Sequence, residues 1–94
     1  LSSSSAASDV YKRQVLIKAD LSTARYLEIK PIHKSQKKIN KTDDFVWFQL
    51  TLVLNIELET KLMSLGNGCT VEEPIDLKSS IKKSLQKALS NYHD

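Results

Sequence analysis

The sequence has one cysteine, two glycines and two prolines in 94 residues, and each scarcity closes off a class of protein. One cysteine excludes a disulfide framework and a cysteine-based metal site, and it fits a reducing compartment. So little glycine and proline leaves no room for a many-turned all-β design or a flexible linker. No apolar run approaches the roughly 20 residues that a membrane span requires. Charge of one sign is also scarce in excess: 14 basic against 11 acidic residues give +3, well short of a nucleic-acid polycation. The chain is too short for a two-domain enzyme. What is present suffices for one folded unit, with 40% hydrophobic and 27% charged residues, a balance that disfavours disorder.

The first fourteen residues differ in character from the rest. Leu1–Gln14 is rich in serine and alanine, lacks apolar periodicity and has no apolar stretch of the kind a signal peptide needs. From Ser4 to Gln14 it resembles the in-frame translation of a common transposase sequencing adapter. The expectation is that residues 1–14 are an artefactual, disordered segment and that the domain occupies residues 15–94. Without Asp9, Lys12 and Arg13, that domain carries 12 basic and 10 acidic residues.

Periodicity divides the rest. Val15-Leu16-Ile17 reads as a short buried strand, and the Asp20 carboxylate is placed to cap a helix. Leu21, Ala24 and Leu27 then recur at helical spacing until Pro31 stops the pattern. Gln36–Asn40 reads as a weak polar strand, followed by turn chemistry at Lys41-Thr42-Asp43-Asp44. Phe45–Leu54 alternates strictly: Val46, Phe48, Leu50, Leu52 and Leu54 on one side, Phe45, Trp47, Gln49 and Thr51 on the other. The second face, with its two aromatics, is expected to be covered by the terminal helix or a partner. Asn55 caps a second helix along Leu58, Leu62 and Leu65, which Gly66 ends in the left-handed conformation. Asn67-Gly68 is a turn dipeptide before a last short strand, Cys69–Glu72. Pro74 is expected at the first position of a final helix with an apolar stripe of Leu77, Ile81, Leu85, Leu89 and Tyr92. The order β-α-β-β-α-β-α predicts an α+β, ferredoxin-like sheet with helices on one face plus a C-terminal helix.

Catalytic chemistry finds little footing. His33 and Ser35 lie two apart without an evident third, orienting acid. The first strand–helix junction, Lys18-Ala19-Asp20-Leu21, has no glycine to cradle phosphate and places an acid there. Cys69 reads as a buried, inert thiol, and His33 and His93 have no metal-ligand spacing. No catalytic residue, metal or cofactor is expected, and the chain is not expected to be an enzyme. Five lysines, Lys30, Lys34, Lys37, Lys38 and Lys41, fall in twelve residues without an acid between. They read either as a solvated strand edge protected from aggregation or as an anion or nucleic-acid contact.

A string of elements carries a family resemblance: Ala24-Arg25-Tyr26-Leu27, Pro31–Ile39 with its His33-Lys34-Ser35-Gln36 core, Asn55-Ile56-Glu57-Leu58, Leu65-Gly66, and Glu73-Pro74 with Leu77. Together they resemble the C-terminal extension, or WCX domain, of WYL-domain helix-turn-helix transcriptional regulators. The resemblance implies a ferredoxin-like fold, a bacterial, cytoplasmic and dimeric setting, and sensing of a nucleotide or nucleic-acid effector. It further implies partners in an upstream WYL barrel and a second subunit. DNA would be reached only through an N-terminal domain absent from this fragment, and no membrane is involved. A ligand site in this segment is expected at His33, Ser35 and Gln36, with Lys37 and Lys38 adding charge. The alternative at the motif is structural, with Ser35 and Gln36 tying the helix end and loop to the sheet. The alternative function is a free-standing binder of single-stranded nucleic acid built on the same sheet.

Overall fold

A computed structural model describes residues 12–92. The expectations for residues 1–11 and for His93 lie outside the described residues. Strand β1 (Lys12–Asp20) begins three residues ahead of Val15. Lys12, Arg13 and Gln14 are exposed but pair with Val53, Leu52 and Thr51, because ladder hydrogen bonds belong to the backbone and need no apolar side chain. Burial starts at Val15 and recurs at Ile17 and Ala19. The Asp20 carboxylate then accepts the Thr23 amide at 2.8 Å and opens helix α1 (Leu21–Ile29).

Strands β2 (Lys37–Lys41) and β3 (Phe45–Val53) form a hairpin, and helix α2 (Ile56–Ser64) follows with Asn55 Oδ1 accepting the Leu58 amide at 2.8 Å. Gly66 has φ +64°, the conformation expected of it. The Asn67-Gly68 turn belongs to a single 3-10 turn over Gly66–Gly68. Strand β4 (Cys69–Glu73) and helix α3 (Ile75–Ser90) complete the chain. Pro74 precedes the helix as its cap rather than standing at the first helical position. Its ψ of 165° is still extended, while its carbonyl already accepts the Lys78 amide at 3.0 Å.

All pairings are antiparallel and the strand order is β2-β3-β1-β4. The described residues are therefore α+β, a four-stranded antiparallel sheet with three helices, the last of them on the C-terminal side. One cluster forms the core. The sheet contributes Val15, Ile17, Ala19, Val46, Phe48, Leu50, Leu52 and Val71, and the helices contribute Ala24, Leu27, Leu58, Leu62, Leu77 and Ile81. All three helices thus bury their apolar sides against the same face of the sheet.

Two expectations about α3 need correction. It packs on β4 and α2 and takes no part in covering the opposite face with Phe45 and Trp47. Its stripe is also only half used: Leu77 and Ile81 are buried, whereas Leu85, Leu89 and Tyr92 are 49%, 70% and 82% exposed. The reason is length. Sixteen helical residues rise about 24 Å, whereas the five residues of β4 extend about 17 Å, and the helix outruns its support.

The Asp20 cap has a pH signature. Hydrogen bonds from the Thr23 backbone and side chain hold its carboxyl below the ordinary 3.8. A folded-state value below the unfolded one means the carboxylate's contribution is complete above pH 3.8 and declines as pH falls through the lower, folded value. Asp20→Asn keeps a capping oxygen but cannot titrate. Acid unfolding followed by circular dichroism should therefore fall less steeply below pH 4 in Asp20→Asn than in the wild type. Parallel acid limbs would show that the cap is not linked to folding.

Candidate functional site

Of the five residues expected to bind a ligand, His33, Ser35 and Gln36 lie in the loop between α1 and β2 and Lys37 and Lys38 open β2, and the geometry divides them. Gln36 sits at the centre of a clasp. Its Nε2 donates to the Leu27 carbonyl at 3.0 Å, and its Oε1 accepts the Ile32 amide at 2.9 Å. One side chain thereby ties a carbonyl of the last helical turn to the loop that leaves it, replacing bonds that Pro31 interrupts. The Ser35 Oγ accepts the Thr51 amide at 2.8 Å and lies 2.8 Å from His33 Nδ1. The Ser35 amide also donates to Nδ1, at 3.1 Å. Nδ1 thus faces both Ser35 groups, leaving Nε2 as the uncommitted ring nitrogen.

This arrangement gives His-x-Ser-Gln a structural role: it anchors the loop to α1 on one side and to β3 on the other. The hydrogen-bonding groups of Ser35 and Gln36 are committed within the chain. Lys37 and Lys38 do not act together, because neighbours on a strand face opposite ways. Lys38 pairs with Phe48 on the helical side, and its Nζ is 3.3 Å from Glu28 Oε2, an exposed pair of little energetic weight. Lys37 pairs with Gln49 on the other side of the sheet.

Gln36→Ala should lower stability by about 1–3 kcal/mol, since it strips a partner from two partly buried backbone groups at once. Urea unfolding would measure the loss. A change below about 0.5 kcal/mol would mean that water replaces both bonds and that the side chain is free for another role.

A second tight cluster lies at the opposite end of α1. Cys69 is partly buried, and burial together with the nearby Asp20 charge pushes its thiol up to about 11. A thiol so raised is almost wholly protonated near neutral pH and a poor nucleophile. Among the described residues no three His, Cys, Asp or Glu side chains gather into a metal site. No helix among them is long and apolar enough to cross a membrane.

Two further surfaces stand out, the first unread in the sequence and the second expected there to be covered. One is a groove of about 520 Å³ between α3, β4 and the end of α2, with Leu62, Met63, Val71, Ile81, Leu85 and Leu89 among its lining residues. Its signal was the length of the α3 stripe compared with the short strand beneath. The other is the outer face of the sheet, where the Phe45 and Trp47 rings meet edge-to-face at 6.2 Å and 62°. There Lys18 Nζ stands 4.6 Å from the Phe45 ring centre, a contact that depends on strand register. No family model matches the chain, and no curated protein matches it.

Proposed function

We propose that the chain is the regulatory and dimerisation module of a bacterial transcriptional regulator, the C-terminal extension that follows a WYL barrel. The observation that carries this reading is the distal half of α3. Leu85 and Leu89 continue the apolar stripe beyond the core along an open groove, and the exposed Tyr92 follows the helix end. Contiguous apolar surface of this kind marks an interaction site in a small domain, and a helix stripe beside its own groove suits isologous pairing of two copies. The sheet order with an added C-terminal helix is the architecture that the resemblance implies. In this reading the module is cytoplasmic, joins a second subunit through α3 and packs on the upstream barrel. Effector contact on this segment falls to the His33 ring and Lys37, with Ser35 and Gln36 holding the loop in place and Lys38 paired with Glu28 on the helical side of the sheet. Chemistry is not part of the role.

Sedimentation velocity tests the interface. The chain should sediment as a dimer at tens of micromolar with a melting midpoint that rises with concentration, and Leu85→Glu/Leu89→Glu should be a folded monomer whose midpoint no longer depends on concentration. The coding sequence upstream in the native gene should specify a helix-turn-helix and a barrel. A monomeric wild type from a gene without that upstream domain overturns the proposal.

A further inference from the structure

The outer face of the sheet is a surface separate from α3. Cross-strand pairs share a face, so the register reads it out in rows. Asn40, Trp47, Lys18 and Thr70 lie side by side across the four strands, and Lys37, Gln49, Leu16 and Glu73 form the next row. Phe45 stands at one end of β3, and Lys12 lies opposite Val53 at the other. The helices bury their apolar residues in the core on the opposite face. Two aromatic rings are thus exposed or half-exposed on the central strand β3, Trp47 beside Lys18 and Phe45 at the strand end with the Lys18 ammonium 4.6 Å from its ring centre, and Lys37 lies on the neighbouring strand. Acids share this face: Asp20 lies opposite Phe45 with its carboxylate held by the Thr23 amide, Glu73 stands opposite Leu16 with Glu72 beside it on the β4 edge, and Asp43 and Asp44 lie in the hairpin loop.

An aromatic face for a base and a nearby cation for its phosphate are what single-stranded nucleic acid requires. Stacking accepts any base, and lysine attracts the backbone without strict geometry. Same-face residues on one strand are about 6.6–7 Å apart, too far for two bases to stay stacked on each other. They suit bases splayed from a single strand. A duplex, whose bases are already paired and stacked, has no ring face to offer. We infer that the outer face of the sheet binds single-stranded nucleic acid, with Trp47 and Phe45 stacking two bases and Lys18 and Lys37 contacting phosphates.

Trp47 is the only tryptophan, so its emission reports directly on the site. Titrating the full chain with a fluorescein-labelled dT12 oligonucleotide at low salt should quench Trp47 and raise anisotropy, while a 12-base-pair duplex should do neither. Phe45→Ala should weaken binding roughly 5- to 150-fold, the loss of one stacked base, and Trp47→Phe should retain most of the affinity. Lys18→Ala/Lys37→Ala, which leaves the core intact, should lower the slope of log Kd against log salt by about 1.4. The inference fails if dT12 leaves Trp47 emission unchanged, if duplex binds as well as single strand, or if the lysine pair leaves the salt slope intact. It also fails if Phe45→Ala changes the sedimentation of the chain rather than its oligonucleotide affinity, which would make the face a protein interface.

Discussion

Leu50→Ala is expected to lower the unfolding free energy by about 2–5 kcal/mol, the range for truncating a fully buried leucine. Leu50 is 0% exposed in the middle of β3, opposite the equally buried Val15 of β1. Both central strands meet there beneath the helices, so the vacated space has little freedom to collapse. The scale of the effect is what matters. A domain of this size has only about 5–10 kcal/mol of stability, and a loss at the upper end of the range would leave a substantial unfolded population at 37 °C. Urea unfolding measures it, with an unchanged slope showing that the denatured state is unaffected. A shift below about 0.5 kcal/mol would place Leu50 on the surface and invert the register of β3.

The second large effect is expected where no apolar side chain is involved. Gly68 is buried beneath the first turn of α1, and a Cβ added there would collide with Thr23 Oγ1 and lie 3.2 Å from both Thr23 Cβ and Asp20 Oδ2. Gly68→Ala therefore drives a methyl into the residues that form the α1 cap. Overpacking of this kind costs about 1–3 kcal/mol. Thr23→Ala removes the colliding hydroxyl while its backbone amide still reaches Asp20. The double variant Gly68→Ala/Thr23→Ala should accordingly be more stable than the sum of the two single losses, a coupling that a double-mutant cycle reads directly. Strict additivity would show that the two residues do not touch. Gly66 offers the contrast: nothing lies within 4 Å of a Cβ built there, and its constraint is its φ of +64° alone.

The two glycines show how legibility varied along the chain. Gly66 was readable because a helix end needs a left-handed residue, which is a local requirement. Gly68 was not, since its neighbour Thr23 is forty-five positions away in sequence and meets it only through the fold. The caps at Asp20 and Asn55 were legible for the same local reason, each bonding an amide three residues on. At the candidate site the residue types pointed to a polar loop, and the structural alternative for Ser35 and Gln36 matches the bonds found. Which groups those side chains would meet was hidden, because Leu27 and Thr51 come from elements on either side of the loop.

Alternation along Phe45–Leu54 and helical spacing elsewhere were enough to determine an α+β chain, its element types and most of its buried residues, because both periodicities follow from backbone geometry. Only the tertiary structure decided that Lys12–Gln14 extend β1, since pairing depends on the partner strand's length. It alone decided that Lys18 of β1 reaches Phe45 of β3, and that β4 is too short to support all of α3. Those outcomes depend on register and relative length, which are set between elements when they pack and are not encoded within any one of them.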